Sequence, residues 1–204
     1  MIKPTYYNLP EEKKKRLLFA ARKEFSRVSY NEASINKIIK DAEISRGSFY
    51  TYFDDKSDLV MCLLHEYFKL VIDEVDHTLE EKNGNIFLMF TRLFDVTIEY
   101  TYFKNDMELF HSLFRSMRSG MELEGLVLFD EETKNKHLAY IMGKINREAL
   151  NISNDSEFKD LLDLLLIVTK RSLAKALSKR FTKEEVRESF LYKLSIIKKG
   201  VSKP

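Results

Sequence analysis

The sequence predicts an all-α chain of two unequal helical parts, and three observations lead to it. Hydrophobic residues make up 44% of the 204 positions and charged residues 32%, a balance suited to a packed core beneath charged helical surfaces. Six glycines and three prolines are too few to punctuate the many short strands of a β fold. Apolar residues, finally, recur at helical spacing in one segment after another. At roughly 100 to 200 residues per domain, the length holds one large or two modest domains.

The first helix is expected to begin near Pro10, where proline suits the first turn and Glu11 and Glu12 sit at the positive end of the helix dipole. Its apolar stripe is Leu17, Leu18, Ala21, Phe25 and Val28. Ser34 is a good N-cap for a short second helix carrying Ile35, Ile38, Ile39 and Ala42, and Ser45 caps a third that runs to about Phe53. Asp55 opens a fourth with Asp58 at its third position, an acidic variant of the capping box, and Leu59, Leu63, Tyr67, Leu70 and Val71 carry it on to about Thr78. After the break Asn83-Gly84-Asn85, helices are expected at 85–103, 105–119, 124–150, 156–179 and 182–198.

Composition excludes several classes. The single Cys62, set among Val60, Met61, Leu63 and Leu64, reads as a small core residue in a reducing compartment. No signal peptide is expected, because the charged cluster at 11–16 precedes only a short apolar stretch at 17–21. The apolar stretch at 161–168 is interrupted by Asp163 and falls far short of the ~20 residues that span a bilayer, so no membrane association and a cytoplasmic location are expected. Net charge is only +2, but residues 1–60 hold 12 Lys and Arg against 9 Asp and Glu, which makes this part the basic one.

Three helices, two of them short and joined by a tight turn, are what a helix-turn-helix requires. In the third, Ile44, Phe49 and Phe53 share a buried face, which leaves Arg46, Gly47, Tyr50 and Thr51 outward. An arginine at the start of a recognition helix can make paired hydrogen bonds to guanine, and a glycine beside it lets the backbone approach a duplex. The stretch Ser34-Ile35-Asn36-Lys37-Ile38-Ile39, followed by Ala42-Glu43-Ile44-Ser45-Arg46-Gly47-Ser48-Phe49-Tyr50-Thr51-Tyr52-Phe53-Asp54-Asp55-Lys56-Ser57-Asp58-Leu59, resembles the DNA-binding domain of the tetracycline-repressor (TetR) family.

The resemblance covers about residues 11–62 and is most specific from Gly47 to Leu59. It implies a helix-turn-helix DNA-binding domain over residues 1–55 and a larger helical domain for effector binding and dimerisation over 56–204. Carried over by position, it implies that Ser34 meets a phosphate, that Asn36 reaches bases or backbone, and that Arg46, Gly47 and Ser48 face bases. Tyr50 and Tyr52 would donate to phosphates, and Lys56 would reach another. Glu43 departs from the family pattern, which has a small or turn-forming residue there; a left-handed glutamate costs about 1 kcal/mol, so a differently arranged turn, with another aim for Arg46, stays open. The implied function is a ligand-responsive regulator, a repressor released from a palindromic double-stranded DNA operator, with no cofactor and no catalysis.

The remaining two thirds yield periodicity more than motif. The segment 158–177 is apolar nearly all round, so it needs two buried faces, one against its own subunit and one against a partner. With the helix that follows, this suggests an intersubunit four-helix bundle in a homodimer, with Leu161, Leu165, Val168, Phe190 and Leu194 at the interface. The middle helices are dense in Phe and Met, and Phe90, Phe94, Phe110, Phe114, Met117 and Met121 are the candidate lining of an adaptable apolar pocket for a small molecule. Arg115 and Arg118, a turn apart, suit an anionic head group or plain solvent. Two other readings stay open: a constitutive DNA-binding protein without ligand, and an all-α metal-binding protein or enzyme using Asp73 and His77. No Gly-rich phosphate loop or nucleophile elbow is present in the sequence.

Overall fold

The computed structural model describes residues 2–104, 106–117, 139–178 and 180–203, with side chains left out at 114–117. Its helices are α1 (Pro4–Tyr7), α2 (Glu11–Arg27), α3 (Ile35–Asp41), α4 (Arg46–Tyr52), α5 (Lys56–Glu81), α6 (Ile86–Phe103), α7 (Met107–Met117), α8 (Asp155–Ala176) and α9 (Lys183–Val201). Residues 139–144 are also helical, and a single 3-10 turn follows at Arg147–Ala149. Among the described residues no strand forms beyond an isolated bridge between Leu150 and Ser202.

The caps explain most boundaries. Ser45 accepts the Ser48 amide at 3.0 Å, Asn85 accepts those of Phe87 and Leu88, and Thr182 forms a full capping box with Glu185. Asp55 accepts the amide of Ser57 at 2.7 Å, and Asp58 reaches back to that of Asp54 at 2.7 Å. Pro10 stands at the N-cap position of α2 rather than inside its first turn. The short α1 was not anticipated. The expected helix at 124–150 lies mostly outside the described residues; its described end breaks at 145–146, where Asn146 caps the 3-10 turn.

Contacts divide the chain into two compact units, and the division differs from a cut at residue 55. The first takes residues up to 68 together with α7, because α7 packs on α2, the Ser112 hydroxyl donates to the Val28 carbonyl at 2.6 Å, and Phe110 meets Tyr67 edge-on at 4.8 Å. Its core includes Leu17, Ala21, Phe25, Ile38, Phe49 and Phe53. The second unit takes the rest of α5, α6, the segment at 139–150 and helices α8 and α9, with α6 packed on both α8 and α9. Phe94 stacks on Phe190 at 4.6 Å in its interior.

That interior holds most of the residues expected at a dimer interface. Leu161, Leu165, Phe190 and Leu194 are buried against their own unit, so they have no surface to offer a partner, and Val168 is half-buried. Other apolar residues lie outside, among them Leu164 and Ile167 on α8, 45% and 60% exposed, and Tyr192 and Ile196 on α9, 68% and 54% exposed.

Candidate nucleic-acid interface

Helices α3 and α4 are joined by a tight turn in which Glu43 takes a left-handed φ of 55°. The turn closes because the Ile44 amide donates to the Ile39 carbonyl at 3.0 Å and the Ala42 amide to that of Ile38 at 2.9 Å. Arg16 of α2 pairs with the Glu43 carboxylate. The glutamate therefore takes the left-handed conformation in which helices commonly end.

Arg46 opens α4 on the exposed side. Its Nη1 donates to Asn36 Oδ1 at 2.8 Å, its Nη2 lies 3.5 Å from the Tyr50 hydroxyl, and its guanidinium stands 5.7 Å from the Tyr50 ring centre. Asn36 thus aims the guanidinium, and the tyrosine supports it from the next turn. Together with Ser34 and Lys56, these residues line one shallow concavity of about 310 Å³. Ser48 turns its hydroxyl to Ser45, 2.8 Å away. Gly47 follows Arg46 in a regular helix, and a Cβ built there would meet only Ser45 Oγ at 3.9 Å. Nothing inside the protein requires a glycine at a position where alanine would favour the helix by about 1 kcal/mol.

Two expected contacts are arranged differently. Lys56 donates its ammonium to the carbonyls of Tyr30 at 2.7 Å, Asn31 at 3.1 Å and Ala33 at 3.4 Å, and it lies over the Tyr30 ring. Burial pushes it below the usual lysine range. With its three donors engaged, Lys56 braces the loop ahead of α3 and is not presented to a phosphate. Ser34 stands at the N-cap of α3 without a side-chain capping bond, and its amide donates to Glu24 Oε1 at 3.3 Å.

Glu24 is the residue that sequence reasoning missed. It is buried on α2, bonded to Arg27 at 2.8 Å and Lys37 at 2.9 Å as well as to Ser34, so it fixes the start of α3 to α2. Burial alone would raise its pKa, but the Arg27, Lys37 and Ser34 bonds outweigh that and hold it at about 2. The available signal was a carboxylate three residues after Ala21, on the buried face of an otherwise apolar stripe.

The expected effector residues fall in different units. Phe90 and Phe94 are buried in the second unit and Phe110 in the first, while the Phe114 and Met117 side chains, those of Arg115 and Arg118, and Met121 lie outside the described residues. Phe94 also borders a groove of about 300 Å³ with Ile98, Tyr102 and Arg187, whose guanidinium clasps Asp95 by two bonds of 2.7 Å. Asp73 is exposed and His77 faces Glu81 at 3.3 Å; among the described residues no three His, Cys, Asp or Glu side chains gather as a metal site. Burial pushes the Cys62 thiol up to about 12, far from a reactive thiolate. Among the described residues no helix is long and apolar enough to cross a membrane.

Residues 17–61 match the family model for bacterial regulatory proteins of the tetR family, and residues 85–201 match the tetracyclin repressor-like C-terminal domain. The uncharacterized HTH-type transcriptional regulator YuxN of Bacillus subtilis (strain 168) is 38% identical over 58 residues, 28% of this chain and 20% of that protein. The chain thus spans about a fifth of that curated relative. A TetR-family regulator of Syntrophomonas wolfei superposes with a TM-score of 0.59 at 23% identity, over 92% of this chain and 95% of the other. The regulator FadR of Bacillus subtilis, solved in complex with stearoyl-CoA, gives 0.56 at 15% identity over 89% and 97%. At such identities the likeness is one of fold.

Proposed function

Because this chain belongs to the TetR family of bacterial transcriptional regulators, we propose that its DNA-binding domain reads an operator through α4, with Arg46 as the principal base contact. The observation that carries this reading is the Asn36–Arg46–Tyr50 arrangement, which holds a guanidinium outward on the first turn of a helix-turn-helix recognition helix. Such a group matches the paired acceptors of guanine in the major groove. Gly47, which the protein interior does not explain, leaves room for the duplex. Ser34, Tyr50 and Tyr52 are the phosphate-facing partners that set register, and Ser48 flanks the base-reading edge.

The active species on this reading is a homodimer joined through the exposed stripes Leu164–Ile167 of α8 and Tyr192–Ile196 of α9. It acts as a repressor, and a small, largely apolar molecule in the second unit releases it. The Phe94 groove and the same fold in FadR, a protein solved with stearoyl-CoA, support an effector of that kind. The molecule acts only to the extent that it binds the DNA-free state better than the DNA-bound one.

Two-fold symmetry is copied onto the site, so the operator is expected to be pseudo-palindromic, with half-sites about one turn of DNA or a multiple apart. Nuclease footprinting of the duplex that the protein selects from a random pool should show two such protected patches. Protection of one unrepeated half-site at saturation would contradict the dimeric reading.

A further inference from the structure

We infer that residues 3–9 form a strap that locks the carboxyl end of the recognition helix, making Lys3 and Thr5 positioning residues for DNA reading. The inference rests on the DNA-binding function proposed above.

Helix α4 has only seven residues, too short to be stable alone. Its last carbonyls lack partners within the helix and must find donors elsewhere. Three consecutive ones are met from a single distant segment. Lys3 Nζ donates to the Tyr50 carbonyl at 2.8 Å, the Thr5 hydroxyl donates to that of Thr51, and the Lys3 amide donates to that of Tyr52 at 2.9 Å. The Lys3 ammonium also pairs with Asp54 at 2.9 Å and holds that carboxyl at about 2. A cation at this end complements the helix dipole.

The strap is itself anchored. Tyr6 is buried with its ring 5.2 Å from that of Phe53 and shares a side-chain hydrogen bond with Cys62. Lys14 of α2 donates to the Tyr7 carbonyl at 3.0 Å, and Leu9 is buried. Residues 3–9 thus link α2, the start of α5 and the end of α4. Tyr50, whose carbonyl Lys3 holds, is also the residue that supports Arg46. Loosening the strap lets the last turn fray, so binding to any duplex weakens through the phosphate contacts of Tyr50 and Tyr52, and base-specific binding weakens further because Arg46 loses its support from Tyr50.

The test uses the full chain carrying Thr5→Val, Lys3→Met or both, with Thr5→Ser as the conservative rescue. Affinity is measured for the duplex that the wild-type protein selects from a random pool and for a scrambled duplex of equal length. Amide exchange at residues 49–53 is followed without DNA. The double variant should lose roughly tenfold in affinity for the selected duplex and less for the scrambled one, with faster exchange at 49–53 and a thermal midpoint lowered by only a few degrees. Thr5→Ser should match the wild type. Unchanged exchange with an unchanged affinity ratio overturns the strap. So does an equal loss on both duplexes accompanied by a lower midpoint, which marks a merely structural role; the single variants apply the same criterion if the double variant fails to fold. A wild-type protein that selects no sequence overturns the DNA-binding function itself.

Discussion

Replacing Gly84 with alanine is expected to destabilise the protein by about 3 kcal/mol or more. Gly84 has a φ of +68° at the reversal from α5 into α6, where an L side chain is strained by about 1 to 2 kcal/mol. The larger cost is steric. A Cβ there would lie 2.4 Å from the Lys144 carbonyl oxygen and 2.5 Å from the Asn146 nitrogen, both backbone atoms without rotamers to turn aside. Moving that segment would also break the 2.9 Å bond from the Asn146 amide to the Gly84 carbonyl and disturb the Lys144 ion pairs with Asp76 and Glu80. Thermal unfolding should fall by about 6 to 12 °C, at roughly 2 to 4 °C per kcal/mol for a chain of this size. The neighbouring Asn83 has a φ of 50°, so Asn83→Gly serves as a control and should not destabilise. A Gly84→Ala protein that melts with the wild type would show that the turn does not pack against 144–146.

If the protein dimerises as proposed, the double substitution Leu164→Lys with Ile167→Lys should yield folded monomers. The two residues lie one turn apart on α8 and are both exposed in the single chain, Ile167 more than Leu164, so lysines there leave its own core intact. In a dimer they would place charges within a desolvated interface, and central apolar anchors are worth about 2 kcal/mol or more each. The expected loss is therefore at least a hundredfold in association, read by sedimentation at micromolar protein, with mass falling to the 24.1 kDa of one chain and helical circular dichroism retained. Leu165→Lys provides the contrast. Leu165 is fully buried within its own unit, so the charge should unfold the protein instead of dissociating it. Unchanged mass for the double variant, or a wild-type protein already sedimenting as one chain, would remove this surface as the interface.

Local chemistry made much of the fold legible. Ser45 and Asp55 act as caps where short-range reading puts them, because a cap depends on residues two or three positions away. Glu43 adopts the left-handed conformation that the helix-turn-helix pattern requires of it. Helical spacing accounts for the exposed position of Arg46, whereas its partnership with Asn36, ten residues earlier, depends on the turn between two helices. What stayed hidden depends on distant pairs. Lys56 is engaged by carbonyls more than twenty residues earlier, and Thr5 meets the Thr51 carbonyl 46 positions away. Neither leaves a periodic trace. The burial of Leu165 and Phe190 was readable from spacing, but spacing records that a face is covered and not what covers it.

The central claim is that α4 reads bases through Arg46, and Arg46→Ala tests it most directly. Affinity is to be compared, at one fixed salt concentration, on the duplex that the wild-type protein selects and on a scrambled duplex. Loss of a paired contact to guanine should cost about 1 to 3 kcal/mol on the selected sequence and much less on the scrambled one, collapsing the specificity ratio. Equal weakening on both sequences would contradict the account, because it would make Arg46 a phosphate contact and leave the reading of bases to other residues.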